Sequence, residues 1–209
     1  MRREPHVRFC EGPGVQFPRA TRLVMGFQFE QDARTMREAL ASRVAAFGLE
    51  LHPEKTRVLR FGRFAHRDSH LDGRARPATF DFLGFTHIVA LGPDGKSRLV
   101  RRTSRKKRTA KLAALRRQVR QRRHEPPHVQ HAWLASVLRG HDNYYGVPGN
   151  YAALRSFHFQ VSNTWHRQLQ RRSQRARWTR VQREAFEQRF RLPPPRITHP
   201  WPRLRQAAR

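Results

Sequence analysis

With 209 residues the chain has room for one domain or two small ones, and at 37% apolar content it can build helices with one buried face more readily than a single large core. Its formal charge of +29 is uneven: residues 1–100 hold 17 Lys/Arg and 11 Asp/Glu, a balance of +6, whereas residues 101–209 hold 27 and 4, a balance of +23. Such a surface repels itself until a polyanion neutralises it, which makes nucleic acid the first expected partner; the lack of any apolar run near the ~20 residues of a membrane span, of a signal-peptide core in residues 1–10, and of a second thiol to pair with Cys10 points to a cytoplasmic protein without membrane insertion or disulfides.

Residues 1–18 show no period and are left unassigned, out of frame or disordered. Leu23–Phe29 (L-V-M-G-F-Q-F) reads as a short buried strand. From Glu30 to Phe47 the positions Ala33, Met36, Leu40, Val44 and Phe47 keep helical spacing, and Gly48 stands where a left-handed C-terminal cap belongs. Pro53 breaks any helix, and Thr56–Phe61 alternates as a strand. Arg63–Ala78 is polar with Gly and Pro, hence a loop. Thr79–Leu91 reads as one strand-like run, Pro93–Lys96 as a turn, and Ser97–Arg102 as the returning strand of a hairpin.

Beyond Arg102 the character changes to basic helix. Arg105–Arg123 places Leu112, Leu115 and Val119 on one stripe and Arg/Lys elsewhere, and Pro126–Pro127 ends it. A second helix carries Trp133, Leu134, Val137, Leu138, Tyr144 and Tyr145. After a Val-Pro-Gly turn a third starts with Asn150 as its cap and carries Leu154, Phe157, Val161, Trp165 and Leu169. A weaker fourth is expected over Arg177–Phe190, and the Pro-rich residues 191–209 form an extended arm. The fold class is therefore α+β, a small sheet followed by a basic helical bundle, divided near residue 100.

Three stretches stand together in order: Gly48–Gly62 (G-L-E-L-H-P-E-K-T-R-V-L-R-F-G), Phe80–His87 (F-D-F-L-G-F-T-H) and Arg139–Asn150 (R-G-H-D-N-Y-Y-G-V-P-G-N). The combination resembles the reverse transcriptases encoded by group II introns, the intron maturases, over roughly residues 19–200, including the closing P-P-P-R-I-T-H-P-W-P. The resemblance implies that residues 19–100 are the end of a polymerase palm sheet, carrying the motif His52, Pro53, Glu54, Lys55, Thr56, with a lysine near nucleotide and primer, and that Leu83, Gly84 and Phe85 lie on the hairpin that grips the primer. It implies that residues 101–190 are the helical thumb or maturase domain, which binds intron RNA and the template–primer duplex.

The chain departs from the family at the strand–turn–strand Y-A-D-D-F-V-V-G-F. Residues 19–27 read R-A-T-R-L-V-M-G-F, so Thr21 and Arg22 occupy the two aspartate positions and Arg19 that of the tyrosine. The family's third carboxylate belongs upstream of these residues. Two Mg²⁺ ions held by carboxylates are what the intact family uses. A neutral hydroxyl and a cation cannot replace them, so no catalytic residue, no metal ligand and no independent polymerase activity are expected. His124, His128 and His131 are read as loop histidines near RNA.

The expected activity is RNA binding, with assistance to intron splicing. Arg101, Arg102, Arg105, Lys106, Lys107, Arg108 and Lys111 neutralise phosphates, and Arg139 and His141 add contacts beside the paired tyrosines. Trp133, Trp165, Tyr144 and Tyr145 fall on helical stripes and are read as packing. Two alternatives stand beside this: one half of a split RNA-directed DNA polymerase completed by a separate fingers–palm chain, and a non-specific basic nucleic-acid coat.

Overall fold

The computed structural model describes residues 23–53, 55–71, 73–173 and 178–200. Helix α1 spans Glu30–Ala45, with Glu30 and Asp32 at its positive end and an Arg34–Glu30 pair one turn apart. It ends as the sequence predicts. Leu49 N–H donates to Val44 O at 3.0 Å and Gly48 N–H to Ala45 O at 2.9 Å, the two bonds of a Schellman motif, with Gly48 at φ +70°. Yet α1 buries none of its residues.

Two predicted strands are absent. Leu23–Phe29 and Thr56–Phe61 form no ladder, and residues 23–29 are exposed throughout. A strand needs a neighbour to take its hydrogen bonds, and none lies alongside them among the described residues. The predicted loop 63–78 contains helix α2, Ala65–Leu71, whose Ala65 and Ser69 face inward. His66 Nε2 lies 3.1 Å from Val89 O and ties α2 to the sheet.

The sheet is antiparallel in the order β1 (Phe80–Phe82), β2 (Phe85–Leu91), β3 (Ser97–Thr103). The run Thr79–Leu91, expected as one strand, folds back on itself at Leu83–Gly84 with Phe82 opposite Phe85. Leu83 and Gly84 have φ +47° and +79°, the paired positive values of a type I′ hairpin turn. Leucine is a poor residue for that conformation, which is why nothing in the local sequence announced the turn. The second hairpin turns at Gly92–Lys96, as expected.

Helices α3 (Arg105–Gln121), α4 (Pro127–Tyr145), α5 (Tyr151–Gln170) and α6 (Arg180–Arg189) complete an α+β fold of six helices and one three-stranded sheet among the described residues. Helix α4 begins at Pro127, ahead of its apolar residues, where a proline has no N–H to leave unpaired. Leu112, Leu115, Val119, Leu134, Leu138, Phe157, Val161, Trp165, Leu169 and Leu192 form one core. Inside it Gln130, 2% exposed, donates to the carbonyls of Arg122, Arg123 and Glu125 past the end of α3 and accepts from Trp165 Nε1 at 2.7 Å. The side chain thus closes one helix and orients the largest core ring. Helix α6 opens on a Thr179–Gln182 capping box and lays Phe186 edge-on to Trp165. No helix among the described residues is long and apolar enough to cross a membrane.

Candidate nucleic-acid interface

The turn Gly146–Gly149 joins α4 to α5, and Asn150 follows it. Asn150 occupies the N-cap position of α5, as the sequence predicts, but its side chain makes no capping bond. Instead Oδ1 accepts the Thr103 N–H at 3.0 Å, and Nδ2 donates to Thr103 Oγ1 and Tyr145 O, each at 2.8 Å. At 1% exposure this amide fastens the end of β3 to the α4–α5 corner.

The tyrosines complete the fastening. Tyr144, expected inside, is 51% exposed and donates its hydroxyl to Leu83 O at 2.8 Å. Tyr145 stands edge-on to Phe85 at 5.1 Å, and a Cβ on Gly84 would come within 2.7 Å of its hydroxyl oxygen. Burial, and secondarily Tyr144, pushes the Tyr145 phenol above its ordinary range. Leu83, Gly84 and Phe85 are therefore in contact with the paired tyrosines. Phe85 is buried, Gly84 is covered, and Leu83 projects with 65% exposure.

The Pro-rich arm is extended from residue 191 to 200, but it is docked. Asp142 Oδ2 accepts the Arg196 N–H at 3.0 Å, Thr198 Oγ1 donates to Asp142 O at 2.9 Å, and the Thr198 and His199 N–H groups both reach Gly146 O at 2.9 Å. The strap lies over the carbonyl end of α4, where backbone acceptors lack helical partners. Two sequence expectations change here. His141, read as an RNA contact, is 7% exposed and stacks on Phe157 at 3.8 Å, so it belongs to the interior. His128 and His131 lie on α4 and not in a loop; His131 Nε2 is 3.0 Å from Arg191 O.

The cationic residues face outward because Leu112, Leu115 and Val119 take the inner face of α3. Arg102, Arg105, Lys106, Lys107 and Lys111 are exposed, and Arg101 and Arg108 half-exposed. Arg116, Arg117 and Arg120, which the sequence reading did not single out, extend the same face. Their signal was available: residues 101–123 hold 12 Lys/Arg and no Asp or Glu. Among the described residues none of these ten cations makes an ion pair with a carboxylate. Arg139 is exposed on α4.

The motif His52–Thr56 is apart from this. Lys55 and Thr56 N–H groups close a turn on His52 O at 3.2 and 3.0 Å around Pro53, with His52 and Lys55 exposed. No hydrogen bond or ion pair joins it to Leu83–Phe85 or α3 among the described residues. Thr21, Arg22 and Glu54 lie outside the described residues. Thr21 would offer a neutral hydroxyl and Arg22 a cation, a donor set that does not suit a pair of Mg²⁺ ions. Compared with known proteins, the chain matches no family model, no curated protein and no solved structure.

Proposed function

We propose that the protein binds RNA through the outward face of α3 and the adjoining end of β3, as the palm end and thumb of a group II intron maturase from which polymerase chemistry has gone, and that it assists intron folding and splicing. The observation that carries the reading is the run Arg101–Arg123, unbroken by any carboxylate and turned to solvent by the Leu112–Leu115–Val119 stripe. Like charges that close are tolerated when a polyanion lies across them. The contact between F-L-G-F and Y-Y-G-V-P-G-N supports the maturase reading, since two of the three stretches that carry the resemblance share one junction.

Filter binding of a structured intron RNA across a salt series tests this. Affinity is expected to fall linearly on logarithmic axes, losing about 0.7–0.9 in slope per phosphate contact. The triple variant Lys106→Ala/Lys107→Ala/Lys111→Ala should flatten that slope by about 2–3. Affinity that does not change with salt defeats the reading, and equal competition by unrelated duplex DNA replaces it with a non-specific coat.

A second reading, half of a split polymerase, is favoured by the bare side chains of Leu23, Phe29, Phe47 and Leu49, each more than 60% exposed. A separate fingers–palm chain supplying all the aspartates would cover them. Co-expression of such a chain with this one, followed by co-purification and primer extension, decides it.

A further inference from the structure

Helix α5 carries a surface that phosphate neutralisation does not explain. Its inner stripe, Leu154, Phe157, Val161, Trp165 and Leu169, is buried. On the outer side Tyr151, Arg155 and Phe159 follow one another at four-residue steps, so they lie in one row. Phe159 is 64% exposed and Tyr151 49%. Between them Ala152 and Ser156 are small, and together with Arg155 and Phe159 they line a shallow depression. The depression thus has a guanidinium and a phenyl ring in its lining. Helix α5 contains no Asp or Glu, and Arg155 has no ion pair among the described residues.

We infer that this row stacks the unpaired bases of a single-stranded nucleic acid. The inference rests on the RNA-binding reading and deepens it by naming the form of nucleic acid that this helix takes. Charge selects the occupant. The half of the chain that presents the row carries +23, so its ligand is a polyanion. The exposed aromatic rings require flat apolar faces on that polyanion. A duplex hides its base faces between neighbouring base pairs, whereas an unpaired strand offers them to aromatic and guanidinium planes. Tyr151 and Phe159 are ~12 Å apart along the helix axis, against ~3.4 Å between stacked bases. A strand that uses both rings is therefore pulled out of its own stack.

The full chain is titrated with a labelled single-stranded RNA and with a duplex of the same length, using wild type, Phe159→Ala, Tyr151→Ala, Phe159→Trp and the α3 triple variant. Phe159→Ala is expected to weaken single-strand binding by about tenfold and leave duplex binding and the salt slope unchanged. Phe159→Trp should keep the affinity. These positions point to solvent, and far-UV circular dichroism verifies that each variant is folded. If the wild type binds RNA and the α3 variant does not, but Phe159→Ala retains single-strand affinity, this inference fails while the phosphate-binding reading stands. Equal losses on both RNAs also overturn it. So does a wild type that sediments as a dimer and a Phe159→Ala that sediments as a monomer, which makes the row a contact between copies. A wild type that binds neither RNA ends both readings.

Discussion

Helices α1 and α5 both carry apolar residues at helical spacing, more weakly in α1, and they have opposite fates. In α1 the stripe Ala33, Met36, Leu40, Val44 ends at a well-formed cap, yet no residue is buried and Met36 is 41% exposed. In α5 the stripe Leu154, Phe157, Val161, Trp165, Leu169 is at most 3% exposed, packed against α3 and α4. Periodicity prepares a face, and burial requires a second face of matching length. Helices α3, α4 and α5 supply one another with that face, joined by short turns. No comparable face lies over α1 among the described residues. Most helical stability comes from such packing and little from propensity, so the two regions should respond very differently to the same kind of substitution.

The largest contrast is expected at Trp165. Replacing it by alanine opens a cavity and leaves the Gln130 oxygen without its indole donor, at a cost of about 3–5 kcal/mol in urea unfolding. A loss below about 1 kcal/mol means that the helical core does not hold together as described. Next comes Asn150→Ala, which strips the Thr103 N–H, the Thr103 hydroxyl and the Tyr145 carbonyl of one buried partner at once. About 2–4 kcal/mol should disappear, and a drop confined to a few tenths argues that the corner and the sheet are fastened by something else. Gly84→Ala follows. It combines φ +79° with a Cβ 2.7 Å from the Tyr145 hydroxyl oxygen, and about 1–3 kcal/mol is expected. Adding Tyr145→Phe removes the clashing oxygen and should recover part of the loss, whereas strictly additive effects count against the contact.

A smaller effect is expected from pH. Burial first, and cationic neighbours second at His87 and His166, push the imidazoles of His87, His158 and His166 below their ordinary value. The unfolded chain then binds protons that the fold refuses. Stability is complete above an ordinary imidazole pKa of about 6.5 and declines as pH falls from there toward the lowered folded values. Melting temperatures from pH 8 to 5 should drop, and less steeply in His166→Phe; a rise on acidification contradicts the assignment. The smallest change belongs to α1. Met36→Ala should change the unfolding free energy by no more than about 0.5 kcal/mol. A loss several times larger means that something covers this helix in solution.

Much of the fold was legible where the signal was local. Gly48 follows its periodic run, Leu112, Leu115 and Val119 repeat on one stripe, and Pro93–Lys96 carries turn chemistry. Each depends on residues within a turn or two of chain. The outward cations of the candidate interface were legible for the same reason, because only a helix with one apolar face could seat them. The strands predicted at Leu23–Phe29, an apolar run, and at Thr56–Phe61, an alternating one, failed because neither pattern supplies a ladder partner. The loop predicted over 63–78 failed because the face of α2 is set by contact with β2.

The amino-acid sequence by itself determined which segments could be helical and where charge would accumulate. Only the tertiary structure decided that the hairpin turns on Leu83 with a positive φ, that the side chain of the N-cap residue Asn150 turns from α5 to bind Thr103, that His141 lies inside, and that the proline strap closes on Asp142 and Gly146. The partners in the last three cases come from sixteen to more than fifty residues away. A hydrogen bond or a stacked ring is specific to the atom it meets, and which atom that is depends on how the packed faces bring distant segments together.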